Sequence, residues 1–177
     1  MSSTPSSAPP LQPRKPTIVQ DGADTTAVHT AVIETDGAYN NDEDIATIGF
    51  TIEDGSGSIL QEGWQEAPGA TSSMQAETVA ALTAIRLSKD YDPSFVVINT
   101  DCERLKAYLT EEYAEKPVLE LLCEQAREEL VEFEHARVRK IKSEHNTRAD
   151  ELAGRGLREL RGVTGENDDI WMPSGNS

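Results

Sequence analysis

The period of the apolar pattern changes at Ser72, and that change limits the folds open to the chain. Before it, three stretches carry strand signals. Residues 28–35 run apolar through Ala31, Val32 and Ile33. Residues 45–54, IATIGFTIED, are rich in β-branched side chains, and residues 58–67, SILQEGWQEA, follow the turn sequence Asp54-Gly55-Ser56-Gly57. Such a turn between two strand patterns reads as a hairpin, so strands one to three form an antiparallel meander. From Ser72 to Lys89 the apolar spacing is helical, with Val79, Leu82 and Ile85 set among the small residues Ala76, Ala80 and Ala84. Small side chains allow a helix to lie close against a sheet. Residues 94–100, SFVVINT, then read as a buried parallel strand. A short helix around Leu105–Leu109 comes next, then a longer one over residues 117–132. A fifth strand over residues 137–141 and a last helix over residues 146–161 complete the order.

The expected fold is therefore α/β: a five-stranded mixed sheet, with strands 1–3 antiparallel and strands 4 and 5 parallel, flanked by helices. Parallel crossovers of this kind are right-handed, and ligand sites in such sheets gather at the carboxyl ends of strands. Residues 1–27, rich in Ser, Pro, Thr and Ala, read as a disordered leader. Residues 28–162 read as one domain, and residues 163–177 as a flexible tail containing Asp168-Asp169-Ile170-Trp171-Met172-Pro173. That tail is a possible protein-docking peptide, although a disordered end is the simpler reading.

Four carboxylates occupy revealing places in this order. Asp36 ends the first strand run and Asp101 ends the fourth. Glu77 lies near the start of the first helix, and Asp150 opens the last. Each has an ordinary explanation. Asp36 before Gly37 could cap a turn. Glu77 could face solvent. Asp101 could be the N-cap of the next helix, and Asp150 could belong to a capping box with Thr147. Together they converge on one place, where they would repel one another unless a divalent metal sat between them.

The composition limits the possibilities further. The 177 residues include 32 acidic and 16 basic side chains, a net charge of −16. That balance argues against general nucleic-acid binding, which needs a positive face. It fits an acidic surface adapted to a salty cytoplasm, where salt screens self-repulsion. One stretch runs the other way: residues 137–161 hold eight basic and four acidic side chains, and Asp150 lies among them. Arg137, Arg139, Lys140, Lys142 and Arg148 are candidate phosphate contacts, although the chain's own carboxylates could pair with them. Cys102 and Cys123 form no metal or disulfide pattern and read as small buried side chains. With neither a membrane span nor a signal-peptide core in the sequence, a cytoplasmic location is expected.

Four segments, TDGAYNN (35–41), MQAETVAAL (74–82), VVINTDCERL (96–105) and HNTRADELA (145–153), together resemble the type 1 ribonuclease H family within the ribonuclease H-like fold. The similarity covers about residues 28–162. It implies an endoribonuclease that cuts the RNA strand of RNA–DNA hybrids with two Mg²⁺ or Mn²⁺ ions and leaves 5′-phosphate and 3′-hydroxyl ends. Asp36 would be shared by both ions. Asp150 would serve the ion that activates water, and Glu77 and Asp101 the ion at the leaving oxygen. Glu77 would also sense the RNA 2′-hydroxyl. By the same resemblance Asn40, Ser73, Arg139, Lys142, His145 and Arg148 are candidate substrate contacts, and a monomer is expected.

The chain departs from the family in several places. The Gly-rich hairpin after the first Asp is reduced to Asn40-Asn41-Asp42-Glu43-Asp44 with Gly49. Two family Asn positions hold Ser73 and Met74, and Met74 cannot replace an amide. There is no basic helical protrusion. No His lies in residues 139–143, the equivalent of the family's catalytic-His loop. His145 is a candidate proton shuttle or phosphate contact, whereas His29 and His135 read as structural or exposed. The rival readings are a nuclease of the same fold acting on another nucleic acid such as double-stranded RNA, and a non-catalytic nucleic-acid-binding module.

Overall fold

The computed structural model describes residues 29–164. The expected leader, the Trp171 tail and any docking through that tail lie outside the described residues.

Three strands, β1 (Thr30–Asn40), β2 (Ile45–Asp54) and β3 (Ile59–Glu66), form the antiparallel meander. Helix α1 (Ser73–Ser88) leads to β4 (Phe95–Thr100). Helices α2 (Glu103–Thr110) and α3 (Pro117–Leu130) lead to β5 (His135–Lys140), and α4 (Thr147–Thr164) closes the order. The sheet runs β3-β2-β1-β4-β5, with β4 parallel to both β1 and β5.

The pleat sorts β1 into two faces. Ala31 and Ile33 point into one core with Phe50, Ile52, Ala81, Ile85, Val96, Ile98, Leu105, Leu109, Ala126 and Leu130, so α1, α2 and α3 cover that face. Ala76, Ala80 and Ala84, the small residues of the helical pattern, are all fully buried. Helix α4 covers the other face over β1 and β2, where Thr47 donates to the Ala153 carbonyl at 2.7 Å. Ser72 caps α1 by accepting from the Gln75 amide, and Pro117 starts α3 at a position that needs no amide donor.

Several boundaries differ from the sequence reading, three of them in ways that matter for the site or sheet. Strand β1 continues to Asn40, because residues 36–40 pair with residues 45–49 of β2. Asp36 is therefore not at the end of its strand. It lies two residues beyond the last parallel pair, Glu34 with Asn99, where β4 leaves β1. Strand β5 starts at His135, whose amide donates to the Ser94 carbonyl at 3.0 Å. The last helix runs to Thr164, past its expected end at residue 161.

Candidate active site

The site forms where β1 and β4 part. Asp36 points to the α4 face, and Asp101 follows β4 directly. Two glycines bring the helices to it, one on each face. A Cβ on Gly37 would lie 2.2 Å from the Glu77 nitrogen and 2.3 Å from the Ala76 carbonyl carbon, so glycine alone lets α1 pass beneath β1 there. A Cβ on Gly49, the register partner of Asp36, would lie 2.1 Å from the Ala149 carbonyl oxygen. That close contact sets the first turn of α4, with Asp150, beside Asp36. Asn146 ties the same turn down: it is fully buried, and its Nδ2 donates to the Thr35 carbonyl at 2.9 Å.

One carboxylate oxygen from each of Asp36, Glu77 and Asp101 lies within 4.8 Å of the other two. Asp150, exposed at the rim, is not one of these three, but its charge acts on Asp36. Burial first, and then the charge of Asp101, push the Asp36 carboxyl up to about 7. Burial and the neighbouring Asp36 push Glu77 up to about 9, against a lowering contribution from the Gly37 amide. Glu77 Oε2 is buried with no hydrogen-bond partner among the described residues. A polar atom in that condition costs free energy, and a carboxylate costs more.

This donor set fits a hard divalent cation. All the donors are oxygens, their mutual repulsion would be relieved by positive charge, and Glu77 Oε2 meets no hydrogen-bond donor among the described residues.

The ordinary explanations fail for three of the four. The N-cap of α2 is Cys102, whose Sγ accepts from the Leu105 amide at 3.4 Å, and not Asp101. Glu77 is half-buried, not solvent-facing, and Asp36 is only 9% exposed. Asp150 keeps a place in the first turn of its helix. Cys102 is half-buried and Cys123 fully buried.

The candidate substrate residues divide. Ser73 is exposed at the start of α1. Met74 is half-buried, with its sulfur 3.9 Å from Cys102 Sγ, and so belongs to the packing. Asn40 shapes the β1–β2 turn by accepting from the amides of Asp42 and Glu43. Lys142 and His145 are exposed, each with only a distant approach to Glu144, at 3.7 and 3.8 Å. Arg148 donates Nε to Glu62 at 2.9 Å, so the reading in which the chain's own carboxylates pair with it applies. Arg137 is corrected as a phosphate contact: it is 7% exposed, with its guanidinium over the Phe95 ring at 5.6 Å. Lys140 is exposed and donates to the Ile141 carbonyl. Arg139 is exposed and donates Nε to Asn99 Oδ1 at 3.0 Å. His29 is exposed, and His135 meets Phe95 edge-on.

The sequence reading missed Gly37 as a spacer and Asn146 as a tether. It also missed Glu34 and Asn99, which lie on the Asp36 face of the sheet. Their signal was present as single polar residues inside the runs AVIET and VVINT.

A family model described as reverse transcriptase-like matches residues 34–156. A search of curated proteins found no match. Among solved structures, RNase H1 from the halophilic archaeon Halobacterium salinarum NRC-1 is 26% identical. It covers 74% of this chain and 98% of its own, with a TM-score of 0.67. LC11-RNase H1, solved in complex with an RNA/DNA hybrid, is 24% identical over 73% of this chain and 98% of its own, with a TM-score of 0.67. An N-terminal RNase H domain from Mycobacterium tuberculosis is 19% identical over 77% of this chain and 99% of its own, with a TM-score of 0.71. The mixed five-stranded sheet and its strand order are those of the ribonuclease H-like fold.

Proposed function

The chain belongs to the reverse transcriptase-like family, and from that premise we propose that it is a metal-dependent endoribonuclease acting on the RNA strand of RNA–DNA hybrids. The observation that carries this reading is the convergence of Asp36, Glu77 and Asp101 around the unpartnered Glu77 oxygen. A binding module has no need to hold repelling carboxylates together at that cost. The halophile RNase H1 at 26% identity and the hybrid-bound LC11-RNase H1 support the substrate class.

Asp36, Glu77, Asp101 and Asp150 would hold two Mg²⁺ or Mn²⁺ ions. Bound there, the ions would supply Lewis-acid stabilisation of a phosphodiester and a hydroxide nucleophile near neutral pH. The charges of Asp101 and Asp150 both act on Asp36, which by the family resemblance would be the ligand shared by the two ions. By the family resemblance, Asp150, the exposed member, would serve the ion that activates water. Glu77 and Asp101 would by the same resemblance serve the ion at the leaving 3′-oxygen, which would give products with 5′-phosphate and 3′-hydroxyl ends. Exposed Ser73, one turn before Glu77 on α1, offers a hydroxyl toward the minor groove.

The type 1 assignment, a monomer and a cytoplasmic location belong to the same proposal. So does a halophilic surface, given the −16 charge. No helix among the described residues is long and apolar enough to cross a membrane. The substitution of Met74 for an amide favours a second reading, a nuclease of the same fold with a different duplex as substrate.

A panel of labelled RNA–DNA hybrid, double-stranded RNA and double-stranded DNA, each with Mg²⁺ or Mn²⁺, tests the proposal. The expected result is cutting of the hybrid's RNA strand alone. Preferred cutting of double-stranded RNA would establish the second reading.

A further inference from the structure

Three polar side chains cross the sheet in register just below the carboxylates. Glu34 of β1 is paired with Asn99 of β4, and Asn99 with Arg139 of β5. One link of this row is a hydrogen bond: Asn99 Oδ1 accepts from Arg139 Nε at 3.0 Å. Glu34 faces Asn99 across the parallel β1–β4 pair. Glu34 and Asn99 each precede a cluster carboxylate, Asp36 or Asp101, by two residues. They therefore share its sheet face at a distance of about 7 Å along the strand.

Exposure rises along the ladder. Asn99 is 5% exposed, Glu34 is half-buried and Arg139 is exposed. Burying a carboxylate and an amide inside otherwise apolar strand runs is costly, and the same pairing positions filled by valine would hold the strands equally well. The ladder ends in a cation. Arg86, Arg148 and Arg161 each donate Nε to a carboxylate. Arg139 donates to a neutral amide and makes no ion pair among the described residues. Its Nη groups make no hydrogen bond among the described residues, and its charge, which also acts on the nearby Glu34 carboxylate, is exposed two residues along the sheet from Asp101.

We propose that Glu34 and Asn99 are positioning residues that hold the Arg139 guanidinium as a fixed contact for a backbone phosphate of the nucleic acid, beside the carboxylate cluster. The proposal rests on the nuclease reading above and adds the device that orients its substrate. A guanidinium held at Nε loses little rotamer freedom on binding and presents its Nη pair in a defined direction.

The test is a double-mutant cycle on the full chain. Binding of an uncleavable hybrid is read by fluorescence anisotropy across a KCl series, and cleavage by KM and kcat. Arg139→Ala is expected to weaken binding about fivefold to tenfold and to reduce the salt slope by about one. In cleavage, the loss falls more on KM than on kcat. Asn99→Ala, which frees the guanidinium but keeps its charge, is expected to weaken binding about threefold with the salt slope retained. Arg139→Lys should behave like Asn99→Ala, because it keeps the charge and loses the tether. The double variant should bind no worse than Arg139→Ala alone. Additive losses, or an Arg139→Ala protein that binds as the parent does, would overturn the ladder while leaving the nuclease reading intact. A parent protein that binds none of the hybrid, RNA duplex or DNA duplex would overturn the nuclease reading, and the phosphate contact with it. Thermal melts of each variant keep a folding defect separate from these outcomes.

Discussion

Gly37 and Glu77 are in backbone contact: a Cβ on Gly37 would stand 2.2 Å from the Glu77 nitrogen. The clash is with main chain and cannot be relieved by turning a side chain. Gly37→Ala is expected to lift α1 off β1, destabilise the fold by about 3 kcal/mol and weaken metal uptake. Denaturant melts and calorimetric Mg²⁺ titration read the two effects.

Asp36 carries the opposite expectation. It is buried among like charges, and its carboxyl is raised to about 7. Asp36→Asn removes the repulsion while keeping the shape. The metal-free protein should gain on the order of 2 kcal/mol at pH 8, while hydrolysis falls about 100-fold or more.

The same groups set a pH dependence. Asp36 and Glu77 bind protons more tightly in the folded state than in the unfolded chain, where an ordinary carboxyl titrates near 4. Between those values the folded state holds more protons, so stability falls as pH rises. Their contribution is fully present below about pH 4 and is lost as pH climbs through 7 toward 9. The melting temperature of the metal-free protein should drop over that interval. Saturating Mg²⁺ should flatten the drop, and metal affinity should rise over the same range as protons stop competing.

Asn146 joins the start of α4 to β1 through its bond to the Thr35 carbonyl. Asn146→Ala leaves that buried carbonyl without its donor. A stability loss of about 1–3 kcal/mol is expected. Activity should fall further than stability accounts for, because Asp150 is on the turn released. Activity assays below the variant's melting transition separate the two.

The sheet and its strand types were legible because each rests on a local pattern, and the convergence of Asp36, Glu77 and Asp101 followed from their places in that order. Alternation and turn residues mark the meander, and Ala76, Ala80 and Ala84 mark a helix lying close to a sheet. What escaped the sequence depends on approach between distant segments. The spacing role of Gly37 needs α1 beneath it, and the tether of Asn146 needs β1 across from it. The extension of β1 to Asn40 depends on pairing with residues 45–49. Arg137 and Arg148 looked alike in the sequence. One lies over Phe95 and the other is paired with Glu62, and composition cannot separate such fates.

The acidic surface gives a separate expectation. With a net charge of −16, repulsion weakens as salt shortens the screening length. The melting temperature should rise by about 5 °C or more between 0.1 and 3 M KCl. A flat or falling curve would contradict the high-salt reading without touching the site.

Cleavage of an end-labelled RNA–DNA hybrid tests the central claim most directly, with the parent chain compared with Asp36→Asn and Asp101→Asn in Mg²⁺ or Mn²⁺ and with chelator. The account predicts cutting of the RNA strand that chelation and either substitution abolish, with both variants still folded. Cutting that survives in Asp36→Asn, or a folded parent chain that cuts nothing at any salt concentration, would contradict it.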